Sequence, residues 1–184
     1  IEMPANAAER KYFPVPDNDE PIIAVAKDKE QQVPIVYLFH KHDVVPNDQK
    51  NNMGYLVMNY MVSSIESMLN SRLNELTQQA NPPFSEAGVQ DGDYLVAKTK
   101  GAFAAFAAAK EDGIIQTTET LMREIERVRQ FGFTASEYAR AKADYLRGLE
   151  SAYKERTKQR NASDVKEDVR HFIANEPIPG SENE

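Results

Sequence analysis

The sequence predicts an α+β fold, a mostly antiparallel sheet with helices packed on one face. Three observations carry that expectation. Residues 22–27 and 33–42 are β-branched and aromatic runs separated by the charged string KDKEQQ. Four stretches repeat apolar residues every three or four positions, the period of a helix with one buried stripe. An alanine-rich decamer, GAFAAFAAAK at 101–110, lies between turn signals at the length of a strand. Strands in neighbouring pairs, separated by helices, form layers around a single core.

Residues 1–20 are rich in Pro, Asn, Asp and Glu and read as a lead-in with one short extended piece at 11–15. Residues 21–184 then read as one α+β subdomain. The run 33–42 is apolar on both parities, with Val33, Ile35, Tyr37 and Phe39 on one face and Val36, Leu38, His40 and His42 on the other. That pattern predicts a central strand, and Pro34 fits its first residues. Pro46-Asn47-Asp48 is a turn opening a helix from 48 or 49 to about 79. Its stripe is Val57, Met61, Ile65, Met68, Leu69, Leu73 and Leu76, and Asn81-Pro82-Pro83 ends it. A strand is expected at 84–90, a turn at 91–93 and an extended connection at 94–99. The small residues of 101–110 favour helix by propensity, but the short length favours strand, which would let a helix approach the sheet closely. A helix opening at Thr117 or Thr118 and stopped by Gly132 follows.

The longest amphipathic stretch is 134–173. Thr134 and Glu137 form a capping-box pattern, so a helix begins there with Tyr138, Ala141, Tyr145, Leu149 and Ala152 on one stripe. After the polar run TKQRNAS, Ser163 is placed to cap a last helix with Val165, Val169, Phe172 and Ile173, ended by Pro177 and Pro179.

Composition narrows the function. The formal charge of -7, with both signs mixed along every segment, argues against a nucleic-acid partner. The chain has no cysteine, hence neither disulfide nor thiolate metal site. No apolar run approaches the roughly 20 residues that span a bilayer. His40 and His42 share a strand face and form a candidate two-imidazole metal module, against the blander reading of a strand-end pair near solvent. His171 reads as a helix-surface residue one turn from Glu167. There is no HExxH, HxxEH, GxSxG or SxxK, and the eight glycines are scattered singly. Carboxylates such as Glu150, four residues before Lys154, read as solvated ion pairs. Asn161-Ala162-Ser163 matches a glycosylation acceptor but reads as a helix start. By these criteria the domain carries no visible active site.

Several strings, in order, resemble the insulinase/pitrilysin-type zinc metallopeptidases, the HxxEH or inverzincin family. They are FPVP at 13–16, PIIAVAKDKE at 21–30, SRLNEL at 71–76, NPPF at 81–84, RAK at 140–142, ESAYKER at 150–156, RHF at 170–172 and NEPIPG at 175–180. The resemblance implies a parent built of two halves, each a pair of related α+β subdomains, closing as a clamshell on an extended peptide. It implies zinc in the parent, bound by an HxxEH helix and a downstream Glu that this chain lacks. The chain then looks like the second, inactive subdomain of a half, partnered by the catalytic subdomain, the second half and a peptide. In the last half of such enzymes an Arg and a Tyr help bind the substrate oxyanion; here those places are held by Thr77 and Phe84. Thr77 has no cationic donor and Phe84 no hydroxyl, so the resemblance places the chain in the first, zinc-carrying half. It assigns no catalytic, metal or substrate-binding residue to this chain. The expected function is a non-catalytic scaffold in a piece of a longer endopeptidase of the bacterial periplasm or envelope. The alternative is a non-catalytic structural or partner-binding homologue of the same fold.

Overall fold

The computed structural model describes residues 11–158 and 161–174. In chain order they form β1 (Ile35–His42), α1 (Met53–Thr77), β2 (Phe84–Asp93), β3 (Gly101–Ala109), α2 (Ile114–Phe131), α3 (Ala135–Glu155) and α4 (Asn161–Ala174). The expected α+β class is what forms. The three strands are antiparallel in the order β1-β3-β2. The alanine-rich decamer is therefore the central strand, and 33–42, expected at the centre, lies at an edge. Its two apolar parities have different fates. Val36 and Leu38 pack against the core, whereas Tyr37 and Phe39 are exposed on the outer face, stacked 5.8 Å apart.

Residues 22–27 form no strand. Ile22, Ile23 and Val25 are 77–87% exposed. A β-branched run has strand propensity, but a strand exists only where a partner supplies the ladder, and none reaches this run among the described residues. The lead-in at 11–15 likewise lacks strand structure.

The core is built from α1, α2 and the inner face of the sheet. Leu69 and Leu73 of α1, Phe84 and Val89 of β2, Ala105 and Ala107 of β3 and Leu121 of α2 form one buried cluster. Phe84, Leu73 and Leu121 are fully buried, each contributing on the order of 2–3 kcal/mol by removal from water. The alanines of β3 keep the sheet surface low, so side chains from both helices reach it. Thr117 is also buried, its hydroxyl donating to the Pro83 carbonyl at 2.9 Å.

Several boundaries move for local reasons. Asn47–Gln49 makes only a 3-10 turn, and α1 starts at Met53, because Asn52 accepts the Tyr55 amide as its cap. Strand β2 runs through 91–93 to Asp93, and the hairpin turn falls later, where Leu95 takes φ 55° and the Tyr94 amide donates to the Lys100 carbonyl. Helix α2 begins at Ile114, after Gly113, and stops at Gly132 with φ 65° as expected. The capping box of α3 is present in both directions, Glu137 N–H to Thr134 Oγ1 at 3.3 Å and Thr134 N–H to Glu137 Oε2 at 2.6 Å. Its buried stripe is shorter than its sequence pattern: Ala141 is buried and Tyr145 half-buried, while Leu149 and Ala152 are exposed. Helix α4 begins at Asn161, so Ser163 lies inside its first turn instead of at the cap. Pro177, Pro179 and the string at 175–180 lie outside the described residues.

The free edge of β2 is closed by α1. Asn70 accepts from the Val89 amide at 2.7 Å and donates to the Val89 carbonyl at 3.1 Å, and Glu66 accepts from the Asp91 amide at 2.6 Å. Side chains thus take the backbone groups that another strand would otherwise use.

Candidate functional site

Two polar clusters organise the chemistry of this chain. The first joins the ends of all three strands to the lead-in. Lys100, just before β3, is 4% exposed, and its ammonium meets Asp43 and Asp17 carboxylates at 2.8 Å each. The Asp17 and Asp43 carboxylates bond to it and raise its pKa, so it stays charged. Thr99 donates to the Phe13 carbonyl at 2.8 Å, and Lys41 donates to the Pro16 carbonyl. Residues 11–17 are strapped across the β2–β3 turn by these three side chains. Between strap and turn lies a shallow, mostly apolar groove of about 520 Å³ lined by residues 11–15 and 94–99.

His42 belongs to the same cluster. Its Nε2 meets Asp91 Oδ1 at 2.9 Å and its Nδ1 the Asp43 main-chain oxygen at 2.9 Å. Both ring nitrogens face oxygen atoms of the protein, Asp91 Oδ1 and the Asp43 carbonyl, and not a point shared with a second ligand. The contacts of His42 thus fit the strand-end reading of this pair. Among the described residues, no three His, Asp or Glu side chains converge as a metal site. The zinc that the resemblance implies finds no fitting donor set among the described residues.

The second cluster ties three helices together. Arg72 of α1 donates from Nε to Glu137 Oε1 at 2.6 Å and from Nη2 to Glu137 Oε2 at 3.0 Å, a bidentate pair. Nη2 also reaches the Gly132 carbonyl at 3.1 Å, and the guanidinium lies 4.7 Å from the Phe133 ring centroid. One arginine thus bonds to the stop residue of α2 and the capping box of α3. The Arg72 hydrogen bond, with the Thr134 amide and hydroxyl, holds the Glu137 carboxyl down at about 2. Farther along the helix pair, Tyr60 and Tyr138 hydroxyls meet at 3.0 Å and Tyr145 packs edge-on against Tyr60.

The other positions singled out in the sequence lie outside the two clusters. Phe84 is a fully buried core residue, and Thr77 ends α1 with its hydroxyl on the Asn74 carbonyl at 2.8 Å. His171 is exposed on α4. Glu150 and Lys154 do pair, at 3.7 Å on the solvated side of α3. Lys100, Asp17, Asp43 and Asp91 were not singled out by sequence. They come from four separate segments and have no spacing signature. The string at 71–76 contains Arg72, but nothing local indicates its partner 65 residues away.

Large apolar side chains are left exposed in several elements. On the sheet's outer face are Ile35, Tyr37 and Phe39; at the start of α1, Met53, Leu56, Val57 and Met61; on the last helices, Leu146, Leu149, Tyr153, Val165, Val169, Phe172 and Ile173. Among the described residues no helix is long and apolar enough to cross a membrane.

Comparison with known proteins adds four findings. A family model described as the peptidase M16 inactive domain matches residues 2–145. A zinc protease PQQL-like protein of Arabidopsis thaliana is 28% identical over 176 residues, which are 94% of this chain and 14% of that protein. The periplasmic protease PqqL from Escherichia coli shares the fold at a TM-score of 0.73 and 20% identity, over 85% of this chain and 17% of that one. A separate structure of the first half of that protease gives the same TM-score and identity over 84% of this chain and 32% of the half. The chain thus spans a small part of the proteins it matches.

Proposed function

The chain belongs to the peptidase M16 inactive domain family, and from that premise we propose that it serves as a non-catalytic scaffold subdomain of a zinc endopeptidase. The observation that carries the reading is the open apolar surface on the sheet face, the start of α1 and the α3–α4 side. Large exposed apolar side chains that pack on one another, as Tyr37 and Phe39 do on the sheet face, mark a surface that another body covers. In this reading residues 1–20 are the lead-in, residues 21–184 the subdomain, and the covering bodies are the catalytic subdomain and the second half of the same protein. Placement in the first half rests on Thr77 and Phe84 standing where the last half has an Arg and a Tyr, and placement in the bacterial envelope on the periplasmic location of the E. coli protease that shares the fold.

Zinc, held by residues outside this chain, would polarise the scissile carbonyl and activate water. This chain's part is positional. It walls the space in which a peptide lies, and the two polar clusters keep that wall rigid. The acidic balance of the chain favours neutral or basic peptides there.

The test is made in the parent protein. Charged substitutions on the open faces, Phe39→Asp and Leu149→Asp, are expected to lower peptide hydrolysis at least about tenfold, since each undoes apolar packing of about 1.5–3 kcal/mol. Zinc content measured by atomic absorption is expected to stay at the wild-type level. Unchanged hydrolysis in both variants refutes the docking role, and a parent that binds no zinc favours the structural homologue instead.

A further inference from the structure

His42 ends β1, and its cross-strand partner is Gly101 of β3. A Cβ at position 101 would collide with the imidazole, so glycine is what lets the ring lie across the central strand and reach β2. There Nε2 meets the Asp91 carboxylate, while Nδ1 meets the Asp43 carbonyl. Both partners only accept. A neutral imidazole carries one N–H and would leave the other nitrogen lone pair facing an oxygen; only the imidazolium donates to both.

The residues flanking His42 hold the lead-in. Lys41 donates to the Pro16 carbonyl, and Asp43 is one of the two carboxylates on Lys100, whose other partner is Asp17. We propose that His42 is a proton-operated latch: charged, it pins the end of β1 and with it the strap at residues 12–17; neutral, it releases both. The Asp43 carbonyl and then Asp91 raise the ring's pKa above 6.5, against the opposing effect of burial. A raised folded value means that the stabilisation is complete below about 6.5 and is lost as pH climbs through the folded value.

The charged and titratable groups around the ring come from every adjoining element. They are Asp91 and Asp93 on β2, Lys100 before β3, His40 and Lys41 on β1, Asp43 after it, and Glu66 of α1 on the Asp91 amide. Asp93 is taken up by Lys98, and Asp43 by Lys100, so Asp91 is the carboxylate left to the ring.

In the full chain, 13C relaxation of the methyls of Val15, half-buried in the strap, reads the latch. Between about pH 5.5 and about pH 8.5 their order parameter is expected to fall by about a third or more in the wild type and in His40→Gln, and to show no pH response in His42→Gln. Histidine C2-hydrogen exchange on the wild type reads the His42 pKa even where the variant fails to fold, with a value above the ordinary 6.5 expected. Equal Val15 methyl order parameters at both pH values, a retained response in His42→Gln, or a His42 pKa at or below the ordinary value overturns the proposal.

Discussion

Glu137→Gln is the perturbation that the fold predicts most sharply. Glutamine keeps the size of the side chain and can still cap the Thr134 amide, so the change isolates the charge paired with Arg72. In the folded chain the carboxyl titrates at about 2 instead of 4.5. A fully shielded difference of that size corresponds to about 3 kcal/mol. The two side chains are 11% and 14% exposed, and solvent screening brings the expected loss to about 1–2 kcal/mol. Because the folded pKa is depressed, the stabilisation is complete above 4.5 and disappears as pH falls from there through about 2. Urea unfolding of wild type and Glu137→Gln is therefore expected to differ by about 1–2 kcal/mol at neutral pH and to converge near pH 2. Equal midpoints at neutral pH, or a gap that persists in acid, would refute the assignment of this pair as the clasp between α1 and α3.

Leu73→Ala removes a fully buried side chain of the main cluster and is expected to cost about 2–5 kcal/mol in denaturant unfolding, while Leu149→Ala on the open side of α3 leaves the chain's own stability within about 0.5 kcal/mol. Asn70→Ala strips the Val89 amide and carbonyl of their partner, which should cost about 1–3 kcal/mol and raise concentration-dependent association, measured by light scattering, through the reopened β2 edge. Gly101→Ala displaces the His42 ring from Asp91, so the His42 pKa should fall back toward its ordinary value when followed by C2-hydrogen exchange.

Much of this protein is local in origin and legible in the residues. The capping box at Thr134 and Glu137, the stop at Gly132 and the strand at 101–110 depend on groups a few positions apart, and they form as the pattern predicts. The run of family-like strings likewise led to the family that the comparison establishes. The polar clusters were not legible, because Lys100 with Asp17, and Arg72 with Glu137, lie 83 and 65 residues apart in the chain.

Tertiary structure decided which strand is central, which runs remain without a partner and which apolar stripes stay open. Residues 22–27 and β1 have similar strand propensity, yet only β1 has a neighbour to complete its ladder. The α3 pattern continues through Leu149, yet burial ends near Tyr145. Propensity and periodicity are properties of a segment and its own backbone, whereas a sheet position or a covered face belongs to a pair of segments. The sequence by itself determined the elements and the family; which element meets which was decided only by the geometry that brings distant segments together.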